Sequence, residues 1–129
     1  EVQAAFGLAQ LKKLPSRLKR LKKMYKTISE ELKNENVEFF EEEPTWYIDM
    51  LVKKPDVFLE RLKNLGIQGR RFYKPLHKQP YFRKNFPSKK DFKNSNNLYS
   101  RGIWLPSTTN LTDADVNRII KSIKLVLHS

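Results

Sequence analysis

Residues 69–80, GRRFYKPLHKQP, are where side chains able to do chemistry crowd together. Arginines, lysines, two aromatic rings and two prolines surround His77, one of only two histidines in the chain. A neutral or charged imidazole can hydrogen-bond a hydroxyl or a phosphate oxygen, and a guanidinium fork suits two phosphate oxygens at once. The stretch therefore reads either as a basic loop for nucleic acid or as one wall of an active site whose remainder lies elsewhere.

The rest of the sequence supplies no complete reaction centre. The second histidine is His128, and no HExxH or Cys/His cluster suggests a metal. There is no cysteine, hence no disulfide framework and no thiolate site. There is no G-x-S-x-G and no P-loop, and the four glycines are too dispersed to cradle a phosphate. Neither an RNA-recognition signature nor a zinc finger is present. The acidic run at 41–43 reads as a solvated turn rather than a cation site.

The elements that must position His77 are signalled unevenly. Residues 1–14 carry Val2, Ala5, Phe6, Leu8, Leu11 and Leu14 at helical spacing, and Pro15 either kinks that helix or opens the next one. Leu18, Leu21, Tyr25, Ile28 and Leu32 then form one apolar stripe opposite a face of Lys and Arg. In the next stretch, Trp46, Ile48, Met50 and Val52 alternate with Tyr47, Asp49 and Leu51, as in a strand. Pro55 suits the first turn of a helix, Phe58, Leu59 and Leu62 its buried stripe, and Gly66 a left-handed C-cap. IQGRRFYK can form another strand, and RGIWLP a short one. Between these last two, residues 77–99 are polar and aperiodic and read as a long irregular loop. The closing helix is the best signalled: Thr112 caps, Asp115 completes a capping box, Leu111 staples onto Val116, and Val116, Ile119, Ile120, Ile123 and Leu127 make its buried face. The order predicts an α+β fold, with long N-terminal helices on a small, mainly antiparallel sheet, one inserted helix and a closing helix.

With 129 residues, 39% hydrophobic, the chain can build one core. No apolar run approaches the ~20 residues that span a bilayer, and the lack of cysteine and of a signal peptide fits a cytoplasmic protein. Glu1 is not methionine and opens an apolar pattern without a capping residue, which suggests a cut through a longer chain. The net charge of +12 favours polyanions. Its cations are spread over all elements, though, as on a solvated basic surface rather than a dedicated nucleic-acid face, and the core spacing of the stripe beside RLKRLKK places a membrane-surface or calmodulin-like role well behind a wet helix face.

Five pieces in order resemble the C-terminal part of the DegT/DnrJ/EryC1/StrS family of pyridoxal-phosphate-dependent sugar aminotransferases. EVQAAFGLAQLKKL is similar to the family's E-x-Q-A-A-x-G-L-x-Q-L helix, and RLKRLKKMYKTISEEL to the helix after it. FLERLKNLGI resembles a helix ending in Gly-Ile ahead of a strand. YKPLHKQPYF resembles the signature Y-x-P-L-H-x-Q-P-x-Y/F, and RGIWLPSTTNLTDADVNRIIKSI the closing segment.

The resemblance implies a fold-type I enzyme in which a large α/β domain holds pyridoxal 5'-phosphate and a small C-terminal α+β domain closes the site. It implies a homodimer with active sites at the interface, and transfer of an amino group, commonly from glutamate, to a keto sugar on a nucleotide diphosphate, for polysaccharide or glycan synthesis. The catalytic lysine would lie upstream, so this piece would be inactive alone, contain no catalytic residue and hold no coenzyme. Residues 1–36 would lead from the large domain, and 37–129 form the small one.

By the P-L-H match His77 would face the substrate. Tyr73 could stack or hydrogen-bond, although an aromatic on that strand is more often core. Arg71, Lys74 and Lys78 would contact the diphosphate, as far as strand alternation allows. Gln79 and Pro80 would shape the turn, and Trp104 and Leu105 would be core. The Lys- and Asn-rich stretch 83–97 departs from the small Ala-rich helix of many relatives. The competing readings are a basic nucleic-acid-binding module and an interaction domain that has lost catalysis.

Overall fold

Alternation along the third strand organises the molecule. In the computed structural model, which describes residues 1–40 and 46–129, β3 (Gly102–Leu105) is the middle strand, flanked by β1 (Ile48–Leu51) and β2 (Arg70–Arg71), both antiparallel to it. The register sets Ile48 opposite Leu105 and Met50 opposite Ile103, so both pairs bury the same face. Against that face pack α1 (Val2–Glu31), α2 (Pro55–Asn64) and α5 (Asp113–Leu127). They contribute Leu21, Met24 and Ile28; Phe58 and Leu62; and Val116, Ile119, Ile120, Ile123 and Val126. Each such side chain contributes about 1.5–3 kcal/mol by leaving water. The α+β reading holds.

The expected ends of α2 and α5 are also found. Pro55 is the first residue of α2, where no N–H is missed. Gly66 follows its C-cap at φ 76, a left-handed conformation that a side chain would strain. Thr112 and Asp115 form both halves of the capping box of α5. Val126 is buried in the last turn and Leu127 only half-buried, a shift of one residue from the expected stripe.

Three expectations are corrected. First, Pro15 does not open a new helix, for α1 runs through it as 30 residues. Proline there removes one intrahelical bond, and the site is exposed, so water can take the carbonyl of Leu11. Second, the VEFF stretch supplies only an isolated bridge from Glu38 to Leu51; that bridge buries Leu51 as well as its neighbours. Third, 77–99 is not an irregular loop. It holds a 3-10 turn at Leu76–Lys78, then α3 (Pro80–Asn85), and the start of α4 (Lys93–Arg101). No residue of these three is fully buried, so a hydrophobic stripe could not announce them. The acidic run at 41–43 lies outside the described residues. No helix among those described is long and apolar enough to cross a membrane.

Candidate functional site

The chain leaves β2 and turns sharply to present His77. Phe72 continues the ladder by donating its N–H to the Gly102 carbonyl (3.1 Å), and its ring lies over Gly102, where a Cβ would meet it at 2.2 Å. Pro75 is extended, at φ −55 and ψ 145, and starts the 3-10 turn, closed by Lys78 N–H to Pro75 O (2.9 Å) and Gln79 N–H to Leu76 O (3.0 Å). The Gln79 side chain donates back to the Lys74 carbonyl (3.1 Å), and Pro80 opens α3. Gln79 and Pro80 therefore shape the turn as expected, and His77 sits in the middle of a locked loop.

His77 is half-buried and gripped by one turn of α4. Its ring stacks on Phe92 with centroids 4.5 Å apart and planes 24° apart. Its Nε2 lies 3.0 Å from Oδ1 of Asn96. Phe92 and Asn96 are four residues apart on one helical face, and the Asn96 N–H donates to the Phe92 carbonyl (2.9 Å). Beside the ring is a cavity of about 240 Å³ lined by His77, Arg83, Phe86, Pro87, Ser88, Lys90 and Phe92. It offers cations, a hydroxyl and aromatic faces, a donor set suited to an anionic, ring-bearing ligand. Its volume falls below the ~300 Å³ at which small-molecule sites usually begin. A larger cavity of about 350 Å³, between α2 and the end of α5, includes Lys53, Lys54 and Arg61 but none of the sequence-predicted residues.

The other predicted residues do not line the cavity beside His77. Arg71 opposes Ile103 and reaches across the sheet edge. Its guanidinium donates to Asp56 Oδ2 (3.3 Å), to the carbonyl of Tyr99 (2.7 Å) and to that of Ser100 (3.3 Å), and lies 5.7 Å from the Tyr99 ring centroid. It thereby closes the carbonyl end of α4. Lys78 shares that ring, its Nζ 5.8 Å from the centroid. Lys74 is exposed, and only its carbonyl is used by the turn. Tyr73 is not core: it is 73% exposed and sits edge-on to Trp104, because β2 has already ended at Arg71. Trp104 is not core either, whereas Leu105 is. Trp104 points to the outer sheet face, where Tyr47, Phe72 and Tyr73 cover its ring and Trp46 stacks on Tyr47. Asp49 lies opposite Trp104. Burial raises its carboxyl above the ordinary 3.8, and the Trp104 indole N–H pulls the other way.

Phe92, Asn96, Arg83, Ser88 and Lys90 were not singled out from sequence. The available signal was indirect: Phe82, Phe86 and Phe92 stand in a polar stretch, and such rings need a partner. His128 meets Glu35 at 2.7 Å, away from this cavity.

Comparison with known proteins follows the same outline. The family model for the DegT/DnrJ/EryC1/StrS aminotransferase family matches residues 1–124. An uncharacterized protein of Methanocaldococcus jannaschii is 32% identical over 98% of this chain, and the spore coat polysaccharide biosynthesis protein SpsC of Bacillus subtilis is 27% identical over 96%. The chain spans 36% of the length of either relative. Among solved structures, a DegT DnrJ EryC1 StrS aminotransferase from Brucella abortus superposes with a TM-score of 0.84 at 25% identity, covering 95% of this chain and 34% of that one. DesV from S. venezuelae superposes with a TM-score of 0.89 at 18% identity, covering 98% and 36%, a likeness of fold alone.

Proposed function

The chain belongs to the DegT/DnrJ/EryC1/StrS aminotransferase family, and from that premise we propose that it forms the small, site-closing domain of a pyridoxal-phosphate-dependent enzyme that aminates a nucleotide-linked keto sugar. The observation that carries the reading is the partial cavity beside His77, with an imidazole, two cations and a hydroxyl around it and too little volume to be a whole site. Its role is to bind and orient the sugar nucleotide. His77 meets the sugar or phosphate, Arg83 and Lys90 offset the diphosphate charge, and Phe92 holds the imidazole plane.

Pyridoxal phosphate supplies an electron sink when bound, and needs a lysine amine and a partner for its pyridine nitrogen. Lys90 is exposed at the cavity rim, and no carboxylate lines the cavity. These residues do not fit that coenzyme. Coenzyme and catalytic lysine belong to an upstream large domain, residues 1–36 lead from it, and the enzyme is a cytoplasmic homodimer using glutamate as donor. The 129-residue piece alone is inactive.

The test uses the native gene product that carries this chain, assayed with pyridoxal phosphate, glutamate and a nucleotide-linked keto sugar. His77→Ala should raise KM for the sugar about tenfold, as one lost hydrogen bond does, with KM for glutamate unchanged. Amination that is absent, or equally fast with His77→Ala, overturns the reading.

A further inference from the structure

His77 has two nitrogens, and their hydrogen-bonding roles decide which chemical group it can recognise. The structure fixes both degrees of freedom of the ring. Stacking on Phe92 sets its plane, and the 3.0 Å contact of Nε2 with the Asn96 carbonyl oxygen sets its rotation within that plane. An amide oxygen is an acceptor only, so with Oδ1 of Asn96 turned to the ring it is Nε2 that donates. Among the described residues nothing hydrogen-bonds Nδ1, and the ring borders the cavity. A neutral imidazole protonated at Nε2 leaves a lone pair on Nδ1. That lone pair accepts from a hydroxyl and repels a phosphate oxygen, which is itself an acceptor. Asn96 differs in this from a carboxylate, which would hold the ring as imidazolium and turn both nitrogens into donors.

We infer that Asn96 is a positioning residue that sets the tautomer of the neutral His77 ring, with the proton on Nε2, so that the bare Nδ1 selects a sugar hydroxyl rather than a phosphate oxygen. The choice of ligand rests on the function proposed above; the tautomer does not. Anion recognition then falls to the opposite part of the cavity lining, Arg83, Ser88 and Lys90. The site thus discriminates along its length: an acceptor for the sugar, donors for the diphosphate.

Nitrogen-15 NMR of His77 in the native gene product that carries this chain, at a pH where the imidazole is neutral, reads the tautomer with no ligand present. The expected spectrum shows a protonated Nε2 and a bare Nδ1. Asn96→Leu should turn this into a mixture of tautomers, and Asn96→Asp should hold the ring protonated at both nitrogens to higher pH. Uridine diphosphate glucose should then move the Nδ1 resonance and uridine diphosphate alone should not, whereas in Asn96→Asp, where Nδ1 becomes a donor, uridine diphosphate alone should move it too. A proton on Nδ1 in the free chain, or a tautomer that Asn96→Leu leaves unchanged, overturns the role of Asn96. An equal Nδ1 response to both probes overturns the hydroxyl assignment. Silence toward both, with the tautomer as expected, overturns the underlying site reading and leaves the role of Asn96 standing.

Discussion

Two helices of this chain are built on opposite principles. The fifteen residues of α5 explain themselves: Thr112 and Asp115 cap it, acids fill its first turn, and five buried residues line its inner face. The nine residues of α4, KNSNNLYSR, have no side-chain cap, no acid in the first turn and no fully buried residue. What holds α4 is tertiary: Arg71 on its last carbonyls, and His77 against Phe92 and Asn96. The helix with its own reasons to exist serves the core, and the helix that borrows them carries the candidate site. Sites drawn from the less stable part of a fold can be adjusted without disturbing the rest.

The contrast is tested most severely at its strong end. Ile123 is fully buried in α5, and Ile123→Ala should cost about 3–4 kcal/mol of global stability, read as a lowered urea midpoint at unchanged slope. Leu98, half-buried in α4, should cost no more than about 1 kcal/mol on the same substitution. Equal losses would mean that the two helices belong to one cooperative layer.

Arg71 is the next lever. Its guanidinium satisfies two carbonyls at the end of α4, and hydrogen bonds to charged donors are worth about 1.5–3 kcal/mol before solvent screening. Partial exposure reduces this, and Arg71→Ala should destabilise α4 locally by about 1–2 kcal/mol. Amide exchange at 98–101 should accelerate while 116–126 stays protected; acceleration at both would refute an independent α4. Thr112→Ala tests the opposite strategy, a helix supported by its own sequence, and should cost about 1 kcal/mol of stability through loss of the cap.

What could be read in the sequence follows the same division. The cap of α5 and the proline start and glycine stop of α2 are local signals and stand where expected, and the alternation of β1 holds from Ile48 to Met50 but fails at Leu51, which is buried like its neighbours, and at Trp46, which is exposed. The continuity of α1 through Pro15 was ambiguous, because a proline costs about 3 kcal/mol inside a helix but little in a first turn, and the sequence allows either position. His77 was legible only through a motif resemblance, and its neighbours Phe92 and Asn96 were not legible at all. Asn96 lies 19 residues away in a helix with no fully buried residue. Arg71 was read as a ligand contact because a cation on a strand gives no hint of the carbonyls it will meet.

Acid sharpens the comparison with the smallest perturbation. Asp113 is pulled below its ordinary 3.8 by the side-chain hydrogen bonds of Arg20 and Lys23, and Asp115 by those of Thr112 and its backbone N–H. A carboxyl depressed by folding binds fewer protons in the native state than in the unfolded one. It adds stability at every pH above the unfolded value and loses it as the pH falls through the lower, folded value. Both groups sit in the first turn of α5, where an ionised carboxylate also faces the positive end of the helix dipole. Acidification below about pH 4 should therefore fray 113–116 first, visible as amide shifts that titrate with Asp113 and Asp115, of which Asp115→Asn removes the Asp115 part and leaves that of Asp113. Residues 93–96 have no acid in their turn and should not titrate with those two carboxyls. If the first turn of α4 moves in step with α5, the helices are coupled through α1, whose Arg20 reaches both Asp113 and the Leu111 carbonyl, and the independence of the site-bearing helix fails.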